Sequence, residues 1–263
     1  MLSKQQMQTA SDALWDLWHQ GRRIAALPSQ IRPTTREEGY AIQALLEARS
    51  VHPLYGWKIA ATSAAGQRHI GVEGPLAGRL LRERVLDSGA KVALGANHMK
   101  VAEPEFAFRM ARTLPSRATP YELDEVIAAV ETLHPAIELP DSRYDDFAQV
   151  GAAQLIADNA CAHYFVLGPA APDHWRFEDL AQHTVTGTVT GKPSRVGNGE
   201  NVLGDPRIAL TWLANELSRL GIALAAAEVV TTGTCVVPLA VEPADHVVAD
   251  FGALGKVELH FSP

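Results

Sequence analysis

Several short segments of this 263-residue chain combine residue types that can do chemistry. The first is VAEPEFAF at 101–108. Glu103 and Glu105 are two apart, so in a strand both side chains point to one face. Two carboxylates on one face repel and raise each other's pKa unless a cation sits between them. The Phe106-Ala107-Phe108 run that follows suggests a strand entering the core; an exposed acidic strand end is the plainer alternative. In HPAIELPDSR, 134–143, Glu138 interrupts an apolar run. A lone buried carboxylate is costly, so Glu138 requires a partner, either a metal ion or an arginine such as Arg143. Three carboxylates without a histidine or thiol make a hard oxygen-donor set, suited to Mg²⁺ or Mn²⁺ rather than Zn²⁺.

A cation is available in GWKIAATS, 56–63. Lys58 lies within an apolar run, where partial burial would lower its pKa and let it neutralise an anion or move a proton. The alternative is a lysine that snorkels at a strand edge. In IADNACAHYFVLG, 156–168, Asp158 can cap or orient, with Cys161 about one turn away. The TTGT run at 231–234 offers the hydroxyls of Thr232 and Thr234 and the flexible backbone of Gly233, a combination that can hold a carboxylate or simply turn the chain.

These residues need elements to position them. Residues 4–20 read as an amphipathic helix, with Met7, Leu14, Leu17 and Trp18 near helical spacing and Gly21 as its stop. Thr34 and Thr35 ahead of Glu37 and Glu38 form a capping-box pattern, so a second helix is expected through about Arg49, burying Tyr40, Leu45 and Leu46. Residues 1–50 are thus expected to form a helical N-terminal cap on a mixed-sheet portion, 51–263, the two making one continuous folding unit. Strands are expected at 56–61, 100–109, 135–140, 163–167, 184–190, 228–232, 245–251 and 256–261. The last is the clearest, because Val257, Leu259 and Phe261 alternate with polar residues. Helices are expected over about 121–133, 145–160 and 206–220, the last with Asp205 as N-cap, Pro206 at its first position and Gly221 beyond its end. Strands and helices do not alternate regularly, which argues against a doubly wound parallel sheet and for a strand-rich mixed α+β fold.

Several function classes drop out. The net charge of −7 leaves no basic footprint for nucleic acid. No run of 18 apolar residues suggests a membrane span. The first residues make a poor signal peptide, and two cysteines form no disulfide framework, so a cytoplasmic protein with reduced thiols is expected. GTVTGKP at 187–193 fails as a phosphate loop at both ends, and SGAK at 88–91 lacks companion motifs.

Eight segments stand in the order GWKIAATS, GQRHIGVEGP, AEPEFAF, AIELPDSRYDDF, IADNA, VLGDP, TTGT and FGALGKVELHF. In this order the chain, from about Tyr40 to Phe261, resembles the fumarylacetoacetate hydrolase-like superfamily. It resembles most its branch of 2-keto-4-pentenoate hydratases and 4-oxalocrotonate decarboxylases. The resemblance implies a β roll, a curled mixed sheet that encloses a metal ion. It implies Glu103, Glu105 and Glu138 as ligands of Mg²⁺ (or Mn²⁺) and Lys58 as acid/base and charge partner. Glu138, where hydrolases typically carry aspartate, favours the hydratase/decarboxylase branch.

Departures from the family pattern bear on the reaction. Leu76 stands where hydratases usually carry an acidic residue, Cys161 where the family often has serine, and Arg79 is unusual and is expected to pair with a second substrate carboxylate. The resemblance implies a metal-dependent lyase for unsaturated 2-oxo acids, either adding water or removing CO₂. An acylpyruvate C–C hydrolase and an inactive subunit that binds a pathway partner enzyme are the alternatives. A homo-oligomer, with or without a complex with that partner enzyme, is also implied.

Overall fold

The computed structural model describes residues 1–263. Six α-helices are formed: α1 (Lys4–Gln20), α2 (Arg36–Ala44), α3 (Ala64–His69), α4 (Leu123–Ile127), α5 (Ala152–Ala157) and α6 (Pro206–Arg219). The strands are β1 (Gly56–Ala60), β2 (Leu76–Leu80), β3 (Val85–Asp87), β4 (Ala90–Val92), β5 (Val101–Met110), β6 (Val130–Leu139) and β7 (Tyr164–Leu167). They continue as β8 (Thr184–Val189), β9 (Arg195–Asn198), β10 (Val229–Thr234), β11 (Leu239–Ala240), β12 (His246–Asp250) and β13 (Lys256–Phe261).

The strands build two mixed sheets. The larger runs β2-β1-β10-β5-β6-β7-β3, with β11 added to β5. The smaller runs β4-β13-β12-β8-β9. Parallel pairs (β1 with β10, β3 with β7, β4 with β13) sit among antiparallel ones, so the fold is α+β. On one face of the larger sheet Trp57, Phe106, Phe108 and Val230 join the main core, which also takes Leu210, Leu213 and Leu217 of α6. By strand register, the opposite face carries Lys58, Glu103, Glu105, Ala107, Glu138 and Thr231.

The N-terminal helices are tied to this frame. Ser3 and Gln6 form a reciprocal capping box on α1, which satisfies two otherwise unpaired N–H groups. Ala10 and Leu14 of α1 and Ile42 of α2 share a small core with Tyr144 and Ala157. Gln43 donates to the carbonyls of Ala77 and Ile156, joining α2 to β2, the end strand of the sheet, and to α5.

Three expected helices are shorter than their patterns. The helix expected over 121–133 is confined to α4, and the chain is already β6 from Val130. Apolar residues three and four apart do not exclude a strand, and β6 gains an eight-pair ladder with β5, so long-range pairing overrides local preference. The helix expected over 145–160 is only α5: Gly151 just before it has φ of +80°, and Asn159, Ala160 and Cys161 beyond it take left-handed backbone angles. The second helix ends at Ala44 and leaves Leu45 half-buried. Its N-cap Thr35 accepts from Glu38 N–H, but the Glu38 carboxylate turns to the N–H groups of Thr34 and Leu2, so the reciprocal box is incomplete.

Candidate metal centre

Strand pairing creates the site. Glu103 lies directly across from Glu138 in the β5–β6 ladder, and Glu105 follows two residues on. The three carboxylates converge, with one oxygen of each within 4.8 Å of the others. Glu105 and Glu138 are fully buried and Glu103 is half-buried. On β1 the Lys58 ammonium lies 3.0 Å from Glu138 Oε2 and donates to the Ala160 carbonyl at 2.9 Å. That carbonyl is presented by the left-handed run at 159–161, a conformation that non-glycine residues hold only when the surroundings impose it.

A bulge completes the enclosure. The β10–β5 register shifts between Thr231 and Thr234, and the displaced backbone turns toward Glu105. Glu105 Oε2 accepts from the Thr231 hydroxyl and from Gly233 N–H at 2.9 Å. Gly233 has φ of +100°, and a Cβ there would lie 2.0 Å from Thr62 Oγ1. Gly233→Ala is therefore expected to destabilise the protein by about 1–3 kcal/mol and to loosen Glu105. A denaturant melt matching the parent's would show that the loop yields freely.

The electrostatics leave this cluster incomplete. Three carboxylates face one ammonium, so two negative charges lack a local counter-charge. Glu105 Oε1 and Glu138 Oε1 are buried without a hydrogen-bond partner. Burial, and then Glu138, push Glu103 up to about 7. Burial, Glu138 and Glu103 raise Glu105 well above the carboxylate range. Burial raises Glu138 as well, against the pull of Lys58. For Lys58 burial acts downward, but the three carboxylates outweigh it and hold the ammonium above its ordinary value. Orphaned buried oxygens, an all-oxygen donor set and uncompensated negative charge fit a hard divalent cation.

This predicts a pH-dependent metal effect. Between the ordinary glutamate value and about 7, folded metal-free protein keeps a proton on Glu103 that the unfolded chain has lost. The stabilisation from this group is full below the unfolded value and is lost as pH rises through about 7. Mg²⁺ requires the deprotonated form. The rise in Tm on adding Mg²⁺ should thus be larger near pH 7.5 than near pH 5.5. It should nearly vanish at both in Glu103→Gln, and a pH-independent rise would contradict the coupling.

Other expected site residues take different places. Arg79 does not face the carboxylates. Its register partner is Trp57, on the opposite face of the sheet from Lys58. Its guanidinium stacks over Trp57 and bonds to Glu47 and Gln43, so it is not free for a substrate carboxylate. Asp158 is also engaged: its carboxylate accepts from the Arg143 side chain and backbone N–H and from Ser142 Oγ. Arg143, the arginine considered for Glu138, thus pairs with Asp158 instead.

The TTGT segment holds a carboxylate, but it is Glu105, one of the cluster's own. Thr232 Oγ1 donates to the Phe106 carbonyl and Thr234 Oγ1 to that of Val236, so neither hydroxyl is directed to a substrate. Leu76 is fully buried on β2, opposite Ala60 and on the Lys58 side of the sheet. Cys161 is buried close enough for Lys58 to act on its thiol, which burial and Asp158 push up to about 12. Sequence reasoning singled out neither Thr231 nor the Ala160 carbonyl. The first lay within the TTGT run; the second is a backbone group with no side-chain signal.

A model described as fumarylacetoacetate (FAA) hydrolase C-terminal matches residues 82–262. The chain is 30% identical over 263 residues to a 2-keto-4-pentenoate hydratase of Paraburkholderia xenovorans (strain LB400), covering 99% of this chain and 96% of that protein. It is 32% identical over 239 residues to a 2-hydroxyhexa-2,4-dienoate hydratase of Comamonas testosteroni, covering 89% of each. Its fold is similar to that of a 4-oxalocrotonate decarboxylase from Pseudomonas putida G7 complexed with magnesium and adipate, with a TM-score of 0.90, 25% identity and 99% of each chain covered. The roll anticipated from eight short motifs is therefore the fold of this chain, which belongs to the fumarylacetoacetate hydrolase C-terminal family.

Proposed function

We propose that the protein is a divalent-metal-dependent lyase that hydrates 2-hydroxydienoic (unsaturated 2-oxo) acids, as a 2-keto-4-pentenoate hydratase does. The observation that carries this reading is the Glu103–Glu105–Glu138 cluster with Lys58 against it, in a chain at least 30% identical to hydratases over most of its length. The three glutamates would hold the ion, Mg²⁺ by preference and Mn²⁺ as substitute, since the donors are all oxygen. A bound ion would supply Lewis acidity toward the substrate's 2-oxo acid group.

Lys58 is the proton carrier in this reading. Its ammonium is buried and held by Glu138 and the Ala160 carbonyl. Proton exchange at its Nζ interconverts the dienol and keto forms, after which water adds at C4. Thr231 and Gly233 hold Glu105 in place. Leu76 and Cys161 line the substrate's tail in this proposal. The same reading takes residues 1–50 and 51–263 as one folding unit, in a homo-oligomer that can join a partner enzyme. No helix is long and apolar enough to cross a membrane, and a cytoplasmic location is part of the proposal.

Decarboxylation of 2-oxohex-3-enedioate is the second reading. It is favoured by the apolar Leu76 and by the similarity in fold to the decarboxylase. Engagement of Arg79 weighs against it, because a diacid then lacks the second cation expected for it. Incubation with Mg²⁺ and either 2-hydroxypenta-2,4-dienoate or 2-oxohex-3-enedioate, followed by NMR, separates them. A 4-hydroxy-2-oxo acid from the first supports hydration. CO₂ from the second alone replaces hydration by decarboxylation, and turnover of neither overturns both.

A further inference from the structure

A second group of metal-ligating side chains lies on the smaller sheet. His246 of β12 stands directly opposite His260 of β13, and Glu258 stands two residues before His260 on the same face. The strand residues between them, Val247, Leu259 and Val257, are buried, so alternation turns the two histidines and the glutamate to the outer face. All three are half-exposed. One donor atom from each lies within 4.8 Å of the others. His246 Nε2 is 3.0 Å from Glu258 Oε2, and the imidazole rings stack with centroids 4.0 Å apart and planes 7° from parallel.

We propose that His246, Glu258 and His260 form a second metal site, for a borderline cation of the Zn²⁺, Ni²⁺ or Cu²⁺ type, distinct from the buried glutamate centre. Three features support it. Directly opposed residues of an antiparallel pair have Cβ atoms about 4.5–5.5 Å apart, so the backbone already fixes the two imidazoles side by side. The donor set of two imidazoles and one carboxylate matches what Zn²⁺ takes when a fourth position is left open, and imidazole is a better ligand for Zn²⁺, Ni²⁺ and Cu²⁺ than for Mg²⁺. The necessary movement is small. Stacked rings direct their lone pairs in parallel rather than at one point, and rotation about the broad terminal torsion of histidine makes them converge.

The neighbouring charges are compatible with a cation. Lys91 of β4 lies opposite His260 but is exposed, where its charge is screened by solvent. Lys192 is paired with Asp245, and Lys256 with Asp250. The two sites would thus sort ions by chemistry, a hard ion within the roll and a borderline ion on the outer sheet, where it would tie β12 to β13.

Calorimetric titration of the full-length protein with Zn²⁺ tests this, in a large excess of Mg²⁺ added to fill the glutamate centre. The expected result is one Zn²⁺ site per chain. His246→Gln and His260→Gln should each weaken it by at least about tenfold, Glu258→Gln should weaken it too, and Glu103→Gln should leave it unchanged. The three outer-face variants should melt like the parent without Zn²⁺, which keeps a binding loss distinct from a folding loss. Undetectable Zn²⁺ binding, or affinity within twofold of the parent in both histidine variants, overturns the proposal. Loss of the site in Glu103→Gln alone assigns the zinc to the glutamate centre and overturns it equally.

Discussion

Lys58→Met is expected to lower turnover by about 10²–10⁴-fold, the range for removal of a positioned acid/base, while Mg²⁺ binding is retained. Methionine preserves most of the aliphatic stem and removes the charge. The ammonium it replaces is fully enclosed, with Glu138 Oε2 at 3.0 Å and the Ala160 carbonyl at 2.9 Å, so water cannot readily take its place. Removing a positive charge beside three carboxylates leaves the attraction for a divalent ion intact or stronger. Loss of turnover with retained metal affinity would therefore identify a proton-transfer role rather than a failure to assemble the centre. Turnover within threefold of the parent would exclude Lys58 as the proton carrier. Loss of Mg²⁺ binding would reassign it to building the site.

Asp158→Ala should have the largest effect on stability. Arg143 is buried, and its guanidinium bonds to the Asp158 side chain and carbonyl and to the carbonyls of Asp141 and Ala162. Removing the carboxylate leaves an uncompensated buried charge, which costs about 3–5 kcal/mol. For a chain of this length that corresponds to a fall of roughly 10 °C in Tm. Asp158 also begins the turn that presents the Ala160 carbonyl to Lys58, so activity should fall with it. Adding Arg143→Met to Asp158→Ala should recover part of the stability, because the orphaned charge goes with it. A single variant losing less than about 1 kcal/mol would show that water or another acid reaches Arg143. The two predictions are complementary: Lys58 is expected to act on the substrate, and Asp158 only through the backbone that holds Lys58.

The position of Arg79 bears on the reaction. By residue type it was an attractive partner for a second substrate carboxylate. It lies on a strand where alternation matters, and the β1–β2 register sets it with Trp57 instead of with Lys58. A shift of one residue would have reversed the faces. That register depends on the contacts of the whole sheet and cannot be read from LAGRL alone.

Much of this protein was determined by its sequence. Alternation within VELHF marked β13, because a period of two is a local property of the chain, and the Phe106-Ala107-Phe108 run marked β5. Asp205, Pro206 and Gly221 bounded α6 through capping chemistry that acts within one turn. Glu138 and Lys58 stood out because a charge in an apolar run demands a partner, and Glu103 and Glu105 because two like charges on one strand face demand a cation. Tertiary structure alone decided which partners those were. It set Glu103 across from Glu138 through the β5–β6 ladder, turned Gly233 toward Glu105 at a bulge, and gave Arg143 to Asp158. It also converted the helical pattern after Ile127 into β6. In each case the deciding contact joins residues distant in sequence, and its free energy exceeds the weak preference that local spacing can express.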